Sequence, residues 1–260
     1  MNPLVTLAAV AALGAVALVV VLVLRLEHPW LQPWALVRAT LQLAVLSLIL
    51  NGIISNDWWV IAFLVVMITA ATWVVVRRLS LRVREAGWVA LTVAVAAAVP
   101  TAIVFASQAV EFSPRYVLAV AGILIGNAMS VATLMGRSLQ GLLLAQRDEI
   151  EGWLALGASP RVSALRAVRS AASTSLIPST DQTRTTGIVT LPGAFVGAVF
   201  AGASPLEAAE FQLIVLAGIL AAGALTVLSF TWRFGAPLRL PVTDQPLRAT
   251  RVASGRAAPR

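Results

Sequence analysis

"PLVTLAAVAALGAVALVVVLVL", residues 3–24, carries no charge and decides the architecture. At about 1.5 Å of rise per residue it is long enough to cross a hydrocarbon core about 30 Å thick. Lipid offers no partner for backbone N–H and C=O groups, so such a stretch must close its hydrogen bonds within itself, as a helix. No basic segment precedes it, its apolar run is too long for a secretory leader, and no small-residue cleavage site follows. It is therefore expected to stay as a span. Comparable runs recur at about 35–54, 58–76, 88–107, 116–136, 184–203 and 211–232, in a chain that is 59% hydrophobic and 12% charged. The expectation is an all-α membrane protein of seven transmembrane helices over residues 1–236, followed by a disordered basic tail, 237–260.

Loop charges orient these spans. Arg25 and Arg38 flank the first connection, and Arg77, Arg78, Arg82 and Arg84 crowd the third. Arg137, Arg147, Arg161, Arg166, Arg169 and Arg184 fall in or beside the fifth, and six more Arg follow the last span. The second, fourth and sixth connections hold Asp57, Glu111, Glu207 and Glu210, with Arg115 as their basic residue. Basic loops stay in the cytoplasm, which places the N-terminus outside and the C-terminus inside. Trp30, Trp34, Trp58, Trp59, Trp73, Trp88 and Trp232 sit near span ends, as an interfacial aromatic belt requires; Trp153 does not.

Composition also excludes. The net charge of +8 lies in membrane-flanking loops rather than on one soluble face, which argues for the lipid bilayer and against nucleic acid as the partner. All 19 basic residues are Arg. Without Lys there is neither a Walker A phosphate loop nor a retinal Schiff base. Without Cys there is no thiolate metal site, and the lone His28 makes neither a zinc site nor a triad. No internal repeat is visible, which weakens an inverted-repeat carrier.

Every carboxylate falls at a span end or in a loop on this reading, so proton coupling through a buried acid is not expected. The polar candidates within spans are Arg38 and Gln42, one turn apart; Asn127; and Thr185, Thr186 and Thr190. Arg38 either snorkels to the interface or serves the path. Asn127, near Gly122 and Gly126, is either an interhelical hydrogen bond or part of the path. "TLPGAFVG" (190–197) breaks the sixth span with Pro192 and Gly193, either as a packing kink or as a pathway lining.

Residues 137–183 are too long for a connector and too polar to cross. "GRSLQGLLLAQRDEIEGWLALG" (136–157) reads as a helix that Gly157 stops. Ser159 and Pro160 then open a second helix at about 161–176. Glu149, Glu151 and Trp153 stand just before the break. An amphipathic hairpin on the inner leaflet is one reading, but anionic lipid repels those acids, and a protein partner accounts for them better.

"EGWLALGA" (151–158) resembles the EAA-type motif of ABC transporter permeases, an acid followed six residues later by Gly-Ala, with Gly152 and Trp153 in place of the usual alanines. The wider runs "GNAMSVATLMGRSLQGLLLAQRDEIEGWLALGASP" (126–160), "LIPSTDQTRTTGIVTLPGAFVGAVFAGASPLEAAEFQ" (176–212) and "VRATLQLAVLSLIL" (37–50) are similar to the FetB-type iron-export permeases, the UPF0014 family, which includes the plant aluminium-sensitivity proteins. The resemblance implies a bacterial inner-membrane permease subunit, paired as a homodimer with two copies of a separate cytoplasmic ABC ATPase. No cofactor is then expected in this chain, ATP and magnesium being the partner's. Glu149, Glu151, Trp153, Gly157 and Ala158 would form the coupling corner on which the ATPase docks. Arg38, Gln42, Asn127, Thr186, Thr190, Leu191, Pro192 and Gly193 would lie in or beside the translocation path. The family's methionines flanking "LPG" are replaced here by "DQTRTTG" and "AFVG", which leaves Met129 and Met135 as the soft metal ligands or as core.

Overall fold

The computed structural model describes residues 2–25, 28–54 and 57–237; the basic tail from 238 onward lies outside them. The regular elements among these residues are helices. They are α1 (Pro3–Val23), α2 (Leu31–Ile54), α3 (Asp57–Arg78), α4 (Ala86–Ala106), α5 (Pro114–Ala145), α6 (Arg147–Ala155), α7 (Pro160–Ser163), α8 (Leu165–Thr185), α9 (Gly193–Phe200) and α10 (Pro205–Phe234), with a 3-10 turn at Val83–Glu85. Six of them, α1 to α5 and α10, are long and apolar enough to cross a membrane. The chain is a multi-pass membrane protein.

Two compact units divide at residue 61. In the first, α1 and α2 lie together. Their approach is close because Gly14 has no side chain: a Cβ there would sit 3.0 Å from Leu36 Cδ1. Most of the remaining aliphatic surface of this pair is exposed, as lipid contact requires.

The second unit is a bundle around α5, which packs against α4, α8 and α10. Its buried core joins Val75, Leu79, Val89, Val93, Leu124, Ala128, Met135, Val215 and Phe230. Side-chain pairings set the helix directions. Met67 meets Gly122 and Leu79 meets Gly136, so α3 runs parallel to α5. Trp88, opening α4, stacks on Trp232 near the close of α10 with ring centroids 5.2 Å apart, and Glu85 pairs with Arg233 at 2.6 Å. Helix α4 is therefore antiparallel to α10.

The chain departs most from expectation between residues 137 and 203. Helix α5 runs on from the expected fifth span to Ala145, and the single helix expected over 136–157 is broken at Gln146, with α6 starting at Arg147. The second helix of the loop does not stop near 176; α8 continues to Thr185. It climbs the bundle antiparallel to α10. Arg161, just before it, donates to the Trp232 carbonyl at 3.0 Å; Val168 lies beside Gly235, and Leu176 beside Gly223. The cause is a ridge of small residues at every fourth position, Ala167, Ala171, Ser175 and Ser179, all buried. Small residues let helix backbones approach closely within a membrane.

The expected sixth span, 184–203, is not one helix. Helix α8 ends at Thr185, a tight turn follows, and α9 supplies only eight residues. Gly187 takes φ +86°, which suits glycine, and its N–H donates to the Thr190 carbonyl at 2.9 Å. Pro192, lacking an N–H, starts α9 as its N-cap. Ser204 then closes a capping box with Glu207 that opens α10.

Candidate functional site

The centre of the second unit is a polar joint between three helices. Asn127 of α5 donates from Nδ2 to the Ile219 carbonyl of α10 at 3.0 Å, and Ser179 Oγ of α8 donates to Asn127 Oδ1 at 3.1 Å. Ile219 stands at the midpoint of α10. Both functions of the Asn127 amide are thus engaged in holding α8 and α10 to α5. One turn below, Ser175 Oγ donates to the Ala172 carbonyl and touches Met135 Sδ at 3.9 Å. Met135 is fully buried in the core and Met129 packs against it. No group of His and carboxylate side chains among the described residues is arranged to hold a metal.

Above this joint α8 is rich in hydroxyls that bond to their own helix. Thr180, Thr183, Thr185 and Thr186 donate to the carbonyls of Leu176, Ser179, Asp181 and Gln182 at 2.7 to 2.9 Å. Pro178 removes one backbone bond, leaving the Thr174 carbonyl without its helical donor. Thr186 and Thr190 face each other through a single bridge, and Ile188, Val189 and Leu191 around them are exposed. Pro192 and Gly193 lie at the head of α9, which packs on α10. Of the expected path residues, Arg38 and Gln42 stand on α2 in the other unit. Both are exposed and make no hydrogen bond or ion pair among the described residues.

Sequence reasoning missed Asp181 and Arg184. It took Asp181 as a loop acid and Arg184 as part of the same basic connection, whereas both lie on α8. Asp181 is two residues beyond Ser179, hence about 3 Å along the axis from the middle of α10. Arg184 is about 8 Å from that level on the same scale. Both are exposed, and neither has a side-chain partner among the described residues. The fourfold spacing of small residues along 167–179 was the signal that would have revealed a packed helix here.

The second region is the corner after α5. Helix α6 carries Glu149, Glu151 and Trp153, and buries Ile150 against the core. Its end is a Schellman motif: Ala158 N–H donates to the Trp153 carbonyl and Gly157 N–H to the Leu154 carbonyl, each at 3.0 Å. Gly157 takes φ +88°, the left-handed conformation that such a stop demands. Ser159 then accepts from the Val162 N–H and Pro160 opens α7. Arg147 holds Glu151 at 2.7 Å and Arg166 reaches Glu149 at 3.4 Å, both pairs exposed. The Glu151 hydrogen bond raises the Arg147 pKa above its already high ordinary value. These pairs leave an outward surface of Trp153, 50% exposed, and Leu156, 82% exposed. All five expected corner residues are thus brought into one helix and its cap.

The family profile described as "Uncharacterised protein family (UPF0014)" matches residues 4–236. The chain is 34% identical over 230 residues to the UPF0014 membrane protein STAR2 of Oryza sativa subsp. japonica, covering 86% of this chain and 80% of that one. It is 34% identical over 197 residues to the protein ALUMINUM SENSITIVE 3 of Arabidopsis thaliana, covering 75% and 71%. With the "Probable iron export permease protein FetB" of Escherichia coli (strain K12) it shares 30% identity over 199 residues, covering 75% and 76%. No solved structure matches the chain.

Proposed function

This chain belongs to the UPF0014 family, and from that premise we propose that it is the membrane-spanning permease subunit of an ATP-driven ABC transporter in the bacterial inner membrane. A separate cytoplasmic ATPase, which binds the ATP and magnesium, docks on residues 149–160. The cargo is a metal ion moved outward, by analogy with the iron-export name of the Escherichia coli relative. The observation that carries the reading is the α6–α7 corner. Its backbone is locked by a Schellman stop and an N-cap, yet it presents Trp153 and Leu156 outward. A preformed, half-apolar knob beside paired acids fits a groove in another protein better than a lipid surface. Seven crossings, with the N-terminus outside, are supported by the antiparallel course of α8 between the ends of α5 and α10. In that arrangement α8 and α9 together make the sixth crossing.

The test is co-purification in detergent with a stand-alone ABC ATPase from the same genome, comparing the native chain with Glu151→Arg and Gly157→Trp. The reading expects capture by the native chain and its loss in both variants, each still folded in the membrane. Equal capture by all three would refute it.

Asp181 favours a second reading, an ATPase-independent carrier or channel. A carboxylate level with the middle of α10 is what coupling to an ion gradient requires. Uptake or efflux in proteoliposomes lacking any ATPase, driven by a proton gradient and abolished in Asp181→Asn, would establish it. No flux without the ATPase would eliminate it.

A further inference from the structure

Helices α4 and α10 are tied together at one end, where Trp88 stacks on Trp232 and Glu85 pairs with Arg233. Beside the stacked rings they leave an open groove of about 390 Å³, walled by Leu91, Thr92, Val95, Leu225, Leu228 and Ser229. From residue 88 to residue 95 it follows α4 for about 10 Å. Its two hydroxyls satisfy each other: Thr92 Oγ1 and Ser229 Oγ lie 2.6 Å apart, and Thr92 also donates to the Trp88 carbonyl at 2.9 Å. Leu91, Val95 and Leu228 are exposed, so the groove opens outward, toward hydrocarbon.

Its mouth is charged. Residues 88, 91 and 95 recur at steps of three and four along one face of α4. Helical backbone at Glu85 and Ala86 carries that line one turn further, to Arg84. On the α10 side, Arg161 donates to the Trp232 carbonyl at 3.0 Å, which holds its guanidinium at the same end. Arg84 is exposed and has no hydrogen bond or ion pair among the described residues. Glu85, the acid at this mouth, is neutralised by Arg233. Trp88 Nε1 is buried without an acceptor among the described residues, although a buried indole N–H ordinarily has one.

We propose that this groove binds one phospholipid with an anionic headgroup. An acyl chain lies between α4 and α10, and the phosphate sits between Arg84 and Arg161. The inference needs the membrane fold alone and does not depend on a transport partner.

Three observations select this occupant. An apolar groove open to hydrocarbon takes an alkyl chain, not a polar solute. The free charge gathers at one end, level with a tryptophan pair of the kind that marks the membrane interface, where a headgroup lies over its own chains. Arginine meets phosphate oxygens through paired donors, and a mouth with a surplus of positive charge prefers a net negative headgroup to a zwitterionic one. A neighbouring apolar helix would cover the groove but leave both cations without a counter-charge. The ester carbonyl next to the phosphate also offers the acceptor that Trp88 Nε1 lacks, once the ring turns to meet it.

The probes are phosphatidylglycerol and phosphatidylcholine, each with a photoactivatable diazirine midway along one acyl chain. The full chain is reconstituted in phosphatidylcholine nanodiscs with a minor share of either probe, illuminated, and its adducts mapped by peptide mass spectrometry. The phosphatidylglycerol probe should label 88–95 and 225–232 several-fold more than the phosphatidylcholine probe, while both label the exposed Leu13 and Val16 of α1 alike. Unlabelled phosphatidylglycerol should compete and unlabelled phosphatidylcholine should not. Arg84→Gln together with Arg161→Gln should lower the preferred labelling to the phosphatidylcholine level; the second change retains a donor for the Trp232 carbonyl. Arg84→Gln alone loses no contact within the described residues, so part of the fall must appear there without any loss of fold. Val95→Trp should abolish the preferred labelling by filling the groove with both arginines intact. Equal labelling by the two probes overturns the proposal, since it marks ordinary lipid contact. So does a preference that survives in Val95→Trp, which would be surface attraction without a groove. Undiminished labelling after both arginine changes overturns the phosphate pairing. The ATPase is absent throughout, so these outcomes stand apart from the capture experiment.

Discussion

Replacing Asn127 with Ala removes two interhelical hydrogen bonds, one to the Ile219 carbonyl and one from Ser179. Interhelical hydrogen bonds in membranes are worth about 0.6 kcal/mol on average and at most about 1.7. Loss of both therefore predicts a destabilisation of about 1.2 kcal/mol. Ser179→Ala removes one of the same bonds and should cost about 0.6 kcal/mol. The two changes share a contact, so they must not add: the double variant should be about as unstable as Asn127→Ala alone, a coupling of about 0.6 kcal/mol. Reversible denaturant unfolding in mixed micelles, followed by helical circular dichroism, measures all three. Transport per folded molecule should survive in Asn127→Ala, because the amide is engaged with two helices rather than presented to cargo. Strict additivity would refute the strut. Loss of transport at unchanged stability would return Asn127 to the path.

Gly136→Ala forces a Cβ against the buried Leu79, 2.7 Å from its Cδ2, and overpacking of this kind costs about 1–3 kcal/mol. Adding Leu79→Ala should recover much of that in the same unfolding assay, although it empties part of the core. Gly157→Ala meets no atom within 4 Å but must hold φ +88°, so about 1 kcal/mol of strain should appear as a lower denaturant midpoint and faster proteolysis at 156–159. Ser204→Ala removes the acceptor that closes the capping box of α10, costing about 1 kcal/mol by denaturant midpoint.

The helices that read clearly in the sequence are those whose surroundings are uniform. Spans near α1 to α5 and α10 face lipid or apolar neighbours, so hydropathy alone marks them, with ends displaced by a few residues. The α6 corner was legible for a different reason: a left-handed stop needs Gly157, and a helix start favours Ser159 before Pro160, whatever surrounds them. Helix α8 defeated the same logic. Apart from Val168 its buried side consists of Ala and Ser, and several of its hydroxyls donate to carbonyls of its own helix. A low apolar content there accompanies close packing against α5 and α10. Asp181 and Arg184 were lost with it. The eight apolar residues of α9 were joined to the wrong helix, because composition does not register the turn at Gly187.

The continuous course of α5 has a mechanical consequence. Thirty-two residues form a rod about 48 Å long whose far end is joined to α6 across Gln146 alone. Such a rod works as a lever. A push on the α6 corner that tilts it by about 5° sweeps its opposite tip through about 4 Å at that length, with no change inside the helix. The route through α8 and α9 is instead interrupted at Pro178, Gly187 and Pro192. On the permease reading proposed above, a stroke delivered at the corner would therefore reach the far ends of the bundle as a difference between one stiff limb and one jointed limb.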